Sequence, residues 1–310
     1  MAQAAGSVDT PVVPGAAMAA QGAAGEARTA CSAAARCRVL LCHACKAPGP
    51  GGLAAPPWEA LLASVTEAAP LALVAADGQP HVLGETGAAQ KILVLDSSFN
   101  PPTLAHERLL RLADRAEGLA PFDLKVLMLA KANADKAIVG AQLHERLAMM
   151  QQVALAQPEG GGFGPTVLSV TCFGLFVDKA RALLQLFSED PESPLSTVYF
   201  IVGSDTLVRI FNPKYYADPE AELGEFFRMG HLISFDRDEE TVQQTEATMA
   251  TPLAQRFKER ITRLELDDPQ IQAISSTQVR QCLQEGRGLS ELVLPGVERF
   301  LLEHEHLYRG

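Results

Sequence analysis

Two short stretches of this 310-residue sequence group side chains in the way that anion chemistry requires. The first is Ser98-Phe-Asn-Pro-Pro-Thr-Leu-Ala-His106. Thr103 and His106 fall in the turn and first helical turn after an apolar strand. There the free amides and the helix dipole favour an anion, and a histidine can donate to phosphate. The second is Ile274-Ser-Ser-Thr-Gln-Val-Arg280. The hydroxyls of Ser275, Ser276 and Thr277 open a helix with Arg280 one turn on, which combines side-chain donors, helix amides and a guanidinium fork. Each stretch alone has a plainer explanation: an N-capping Ser or Thr beside a surface histidine or a solvated arginine. Two such cradles in one chain favour a phosphate-bearing ligand. The dinucleotide fingerprint G-x-G-x-x-G and the P-loop pattern are both absent, so the cradle is of another kind.

These residues need a scaffold that delivers them to one place. Lys91–Asp96 is a continuous apolar run ending in an acid, the signature of a buried parallel strand. Further strands are predicted at 124–129, 167–171, 198–202, 232–235 and 261–266. Helices are predicted at 104–117, 142–156, 176–187, 276–285 and 294–306, with a loop at 158–165. The alternation predicts an α/β fold, a Rossmann-like doubly wound parallel sheet with helices on both faces. Ligands of such sheets sit at the carboxyl ends of the strands, which directs attention to 96–106, 130–136 and 203–206. The last of these holds Gly203-Ser-Asp205.

Composition divides the chain. Residues 1–90 hold 27 alanines but only four Lys/Arg and six Asp/Glu, together with the sole tryptophan, Trp58. Residues 1–57 show no sustained period and are expected to form a disordered Ala-rich extension. Cytoplasmic residence is expected, with organelle targeting (plastid or mitochondrion) through this tail as the alternative. Residues 58–90 are expected to form a short helix, carrying Trp58, Leu61, Leu62 and Val65, and then a hairpin turning at Asp77-Gly78. Both should pack on a main domain at 91–310. Cys31, Cys37, Cys42 and Cys45 crowd the tail, but they lack a second ligand pair at zinc spacing, so no metal site is assigned to protein ligands. Cys172 and Cys282 lie in apolar contexts suited to a core. The net charge of −11 argues against nucleic acid, and no apolar run is long enough for a membrane span.

Taken together, the motifs resemble a known family. Ser98 to His106 resembles the [HT]-x-x-H signature of the nucleotidylyltransferase superfamily, and Ile274–Arg280 resembles its I-S-S-T-x-x-R motif. Gly203-Ser-Asp205 is similar to its G-x-D element. Asn133-Ala-Asp-Lys136, Phe211-Asn-Pro-Lys-Tyr-Tyr216 and the ending at 295–308 resemble the nicotinamide mononucleotide adenylyltransferase-like proteins of fungi and plants. The resemblance implies adenylyl transfer from ATP, carried by Mg²⁺, to nicotinamide mononucleotide, giving NAD and pyrophosphate by direct in-line attack. Alternatives are a superfamily member with another phosphorylated acceptor, or a nucleotide-binding protein of weak turnover. By resemblance, Thr103, His106 and Arg280 are catalytic. Ser98, Phe99, Asn100, Gly203, Asp205, Ser275, Ser276 and Thr277 bind ATP, and Lys136 binds the acceptor phosphate. Two departures stand out: Ser97 and Ala105 occupy positions where the family commonly has glycine. Family members also stack the nicotinamide ring on a tryptophan, which 91–310 lacks; Phe211, Tyr215 and Tyr216 are the candidates for that face.

Overall fold

The computed structural model describes residues 58–75, 91–131, 140–156, 166–187, 196–236, 239–266 and 268–308. All belong to one compact unit, Cys37–Gly310. Its centre is a seven-stranded sheet: β1 (Leu71–Ala75), β2 (Lys91–Asp96), β3 (Leu124–Ala130), β4 (Thr166–Thr171), β5 (Thr197–Gly203), β6 (Gly230–Phe235) and β7 (Ile261–Leu264). The order is β1-β4-β3-β2-β5-β6-β7. β2 through β7 pair in parallel, and β1 joins the edge antiparallel to β4. The strand order reverses between β2 and β5, where Leu95 pairs with Ile201. In a doubly wound sheet this reversal opens a crevice at the carboxyl ends.

Side chains alternate across the sheet, so each strand feeds two cores. Leu93 and Leu95 face a layer built by α1 (Trp58–Ser64), α2 (Leu104–Ala113), α3 (Leu143–Leu155), α10 (Ser276–Glu285) and α11 (Pro295–Glu303). Ile92 and Val94 face a second layer, of α4 (Phe176–Leu184), α5 (Ser204–Ile210) and α6 (Pro219–Met229). Phe99, Phe200, Phe226 and Leu127 are among the fully buried side chains. Each contributes about 1.5–3 kcal/mol relative to exposure. The remaining helices are α7 (Glu239–Met249), α8 (Pro252–Gln255) and α9 (Pro269–Ala273).

The expected strands are all present within a residue or two of their predicted limits. The helix expected at 104–117 ends at Ala113, because Asp114 takes the C-cap and its amide turns back to Leu110 and Leu112 carbonyls. The run 71–75, expected as half of a hairpin, forms β1, pairs antiparallel with β4 and is buried at all five residues. The proposed turn and second half of that hairpin lie outside the described residues. So do the four tail cysteines, Lys136 and the loop at 158–165. Short helices between 204 and 255 (α5, α6, α7 and α8) had not been expected.

Candidate active site

β2 delivers Asp96 to the switch point, where its carboxylate pairs with the buried ammonium of Lys179 from α4. The chain then crosses the carboxyl edge of the sheet through Ser97–Pro102 and enters α2 at Thr103. Phe99, within this crossing, has φ +43 although it is not glycine, and it is fully buried. Such backbone costs about 1–3 kcal/mol and persists only where its surroundings hold it. Here they do. The Arg146 guanidinium from α3 donates to the Ser98 carbonyl at 3.3 Å. Arg280 Nη1 from α10 donates to the Asn100 carbonyl at 2.7 Å. Ser276 Oγ donates to the Pro101 carbonyl at 2.7 Å. Three carbonyl anchors thus bind the first motif to α3 and to the second motif, the latter 175 to 180 residues further along the chain.

His106 occupies the third position of α2 and forms a capping box with Thr103. The Thr103 amide donates to His106 Nδ1 at 3.0 Å, and Thr103 Oγ1 lies 2.9 Å from the same nitrogen. An amide N–H can only donate, so Nδ1 must carry its lone pair and the proton sits on Nε2. Nε2 lies 3.0 Å from Ser97 Oγ and donates to it. The imidazole is therefore fixed at both nitrogens, against the face of Phe99 at a centroid distance of 5.1 Å. Ser97, which stands where the resemblance has glycine, fills its extra space with this hydroxyl contact. Ala105, the other departure, is buried on the core side of α2.

The second motif also acts through the first. Ser275 is the N-cap of α10 and its Oγ accepts the Gln278 amide at 3.1 Å. Val279, Cys282 and Leu283 bury the inner face of α10, and Gly286 (φ +67) ends it in the left-handed conformation that glycine adopts without penalty. Arg280 Nη2 donates to Thr277 Oγ1 at 3.0 Å, which holds the guanidinium in one plane. Thr277 is exposed. The Arg280 guanidinium is thus fixed by the loop that carries the first motif.

The third element closes the crevice from β5. Gly203 caps α5, and a Cβ added there would meet nothing within 4 Å, so open space adjoins it. Ser204 is buried, and its hydroxyl donates to Asp236 Oδ1 at 2.6 Å. Asp236 also accepts from Thr245 Oγ1 at 2.9 Å and Arg263 at 2.6 Å. Burial pushes its carboxyl up, but these hydrogen bonds outweigh that and hold it below the ordinary carboxylate range. Asp205 is exposed on the first turn of α5.

Two aromatic candidates for base stacking are corrected by the structure. Phe211 is 6% exposed and packs against Phe227 in the second core. The Tyr216 hydroxyl donates to the Ile210 carbonyl at 2.7 Å, and burial pushes its phenol far above the usual range. Both serve packing because they lie on the inner side of the segment between α5 and α6. Tyr215 remains half-buried, with the Lys214 ammonium 4.7 Å over its ring. Trp58, the only tryptophan, is buried in the first core and cannot stack on a substrate.

Arg146 and Tyr308 were missed by sequence reasoning. Arg146 is 6% exposed; its Nε donates to the Ala141 carbonyl at 2.8 Å, and desolvation lowers its pKa, with Arg280 acting in the same direction. An arginine flanked by Glu145 in an amphipathic segment reads as solvent face. Only its burial beside a loop carbonyl shows otherwise.

The model of the cytidylyltransferase-like family matches residues 94–282, which spans both motifs, and the chain belongs to that family. It is a nucleotidyltransferase, grouping with the nicotinamide and nicotinate mononucleotide adenylyltransferase-like proteins. A Schizosaccharomyces pombe protein assigned as a nicotinamide mononucleotide adenylyltransferase is 29% identical over 63% of this chain and 76% of its own. A Geobacter protein assigned as a nicotinate-nucleotide adenylyltransferase is 26% identical over 69% of this chain and 96% of its own. Among solved structures, the Plasmodium falciparum nicotinic acid mononucleotide adenylyltransferase in complex with NaAD shares the fold. Its TM-score is 0.50 at 18% identity, over 71% of this chain and 97% of that one.

Proposed function

We propose that this protein transfers the adenylyl group of ATP to nicotinamide mononucleotide, forming NAD and releasing pyrophosphate. The observation that carries the reading is the fixed imidazole at the switch point. His106 presents Nε2–H as a preset donor, and Arg280 lies bound to the same loop. In the reaction a phosphate oxygen of the acceptor attacks the α-phosphorus of ATP. That oxygen is already ionised, so no general base is needed, and the work is positioning and stabilisation of charge on the α-phosphate oxygens. On this reading His106 exchanges Ser97 for an α-phosphate oxygen as charge builds there. Thr103 keeps the tautomer correct throughout. Arg280, Ser276 and Thr277 face the departing pyrophosphate, and Asp205 meets the ribose of ATP. Lys136 is proposed to hold the acceptor phosphate.

Mg²⁺ would neutralise triphosphate charge. Among the described residues no three His, Cys, Asp or Glu side chains come together as a metal cage. The cation would enter with ATP, held mainly by phosphate oxygens and water.

A second reading has nicotinate mononucleotide as the acceptor; several relatives carry that assignment by name. Incubating the protein with ATP-Mg²⁺ and each mononucleotide in turn, and measuring pyrophosphate and dinucleotide, separates the two. Faster dinucleotide formation from nicotinate mononucleotide, by kcat/KM, would replace the first reading with the second.

A further inference from the structure

One residue of the site arrives from the far end of the fold. Tyr308 follows the short turn Glu305–Leu307 after α11 and is 5% exposed. Its hydroxyl donates to Asn100 Oδ1 at 2.8 Å, across 208 residues of sequence. A carboxamide oxygen can only accept, so the phenolic proton is committed to Asn100. The tyrosine ring lies on Gly140, whose φ is +76; a Cβ there would fall 2.4 Å from Cε1 and 2.8 Å from Cδ1. Gln284 of α10 donates to the Tyr308 carbonyl at 3.2 Å. Burial raises the phenol to about 12, against the opposing charges of Arg146 and Arg280, so it stays a neutral donor at any working pH.

We propose that Tyr308 is a positioning residue for the nucleoside triphosphate: its hydroxyl holds the Asn100 carboxamide within the first motif. It also fixes the gap between the first motif, the start of α3 and α10. This rests on the adenylyl-transfer reading of the site. The tyrosine's polar partners, Asn100 and α10, supply residues assigned to ATP on that reading, so the effect belongs to ATP and not to the acceptor.

Tyr308→Phe tests it, because the ring keeps its place against Gly140 while the hydroxyl is lost. In the full-length protein, calorimetric titration with ATP-Mg²⁺ should show Kd raised about three- to tenfold, the scale of one lost hydrogen bond. KM for ATP should rise in parallel, KM for the acceptor should stay within about twofold, and Tm should fall by no more than about 4 °C. Asn100→Ala should weaken ATP binding as well, and adding Tyr308→Phe to it should cost nothing more. Wild-type Kd in Tyr308→Phe would overturn the proposal, as would additive losses in the double variant or equal rises in both KM values. If the wild-type protein binds ATP but forms no dinucleotide, the adenylyl-transfer reading fails, while the Kd comparison still decides the role of Tyr308.

Discussion

At the scale of single residues, the site depends on a histidine whose proton is placed before any ligand arrives. Thr103 fixes Nδ1 from one side and Ser97 meets Nε2 from the other. His106→Ala should lower kcat by roughly 10²–10³-fold, the range for one donor aimed at developing charge. Circular dichroism and Tm should stay near wild type, since the side chain is not core. Full activity in that variant would refute its role. Ser97→Gly should leave kcat within about threefold, because the phosphate replaces the serine contact. Nitrogen-15 NMR of the variant should still show the Nε2–H tautomer; a switch to Nδ1–H would show that Ser97, and not Thr103, sets it. Of these residues, Thr103, His106, Ser276 and Arg280 were legible in the sequence because a turn and a helix start give their types away. Arg146 and Tyr308 were not. Arg146 reaches the Ser98 carbonyl 48 residues away and Tyr308 the Asn100 carboxamide 208 away, and no local pattern encodes such a contact.

At the scale of elements, long apolar strands were easy to read and short polar helices were not. β2, β3 and β5 are buried on both faces, so each appears as a mainly hydrophobic run, broken inside β3 only by Lys125, which pairs with Asp114. α7, with the sequence EETVQQTEATM, has little apolar stripe to betray it; it is held by tertiary contacts such as Thr245 to Asp236. α5 starts directly at the end of β5, so the change of period is lost in the strand signal. Glycine 140 gives an element-scale prediction. Gly140→Ala combines a left-handed backbone with a collision against the Tyr308 ring, and should destabilise by about 1–3 kcal/mol in urea titration. In a Tyr308→Leu background the loss should shrink, because the steric part disappears; an undiminished loss would place the whole cost in the backbone.

At the scale of the whole molecule, the catalytic sheet includes a strand contributed from before residue 90. Trp58, Leu61, Val65 and Leu71–Ala75 are all buried, so helix α1 and strand β1 are expected to be indispensable. A chain beginning at Pro57 should keep Tm within about 3 °C and kcat/KM within about twofold. One beginning at Gln90 should lose on the order of 5 kcal/mol or fail to fold, since several large side chains go at once. Equal behaviour of the two would contradict this. Stability should also depend on pH through the amino end of the sheet, where His231 stacks on Tyr199 at 4.6 Å and accepts from Arg260 at 2.7 Å. Burial, then the charges of Arg260 and Lys91, lower its pKa to about 4 from 6.5. The unfolded chain therefore binds a proton between those values that the folded one refuses. This contribution is complete above pH 6.5 and is lost as pH falls toward 4. Discounted for partial exposure, it amounts to about 1–2 kcal/mol. His231→Phe should flatten that part of the profile in urea titrations between pH 4 and 7; an unchanged slope would assign it to carboxylates. The central claim, adenylyl transfer at the β2–β5 switch point, is tested most directly by purified full-length protein with ATP-Mg²⁺ and nicotinamide mononucleotide. The account predicts NAD and pyrophosphate in equal amounts, formed roughly 10²–10³-fold more slowly by His106→Ala. Pyrophosphate without NAD, or NAD formation indifferent to His106, would contradict it.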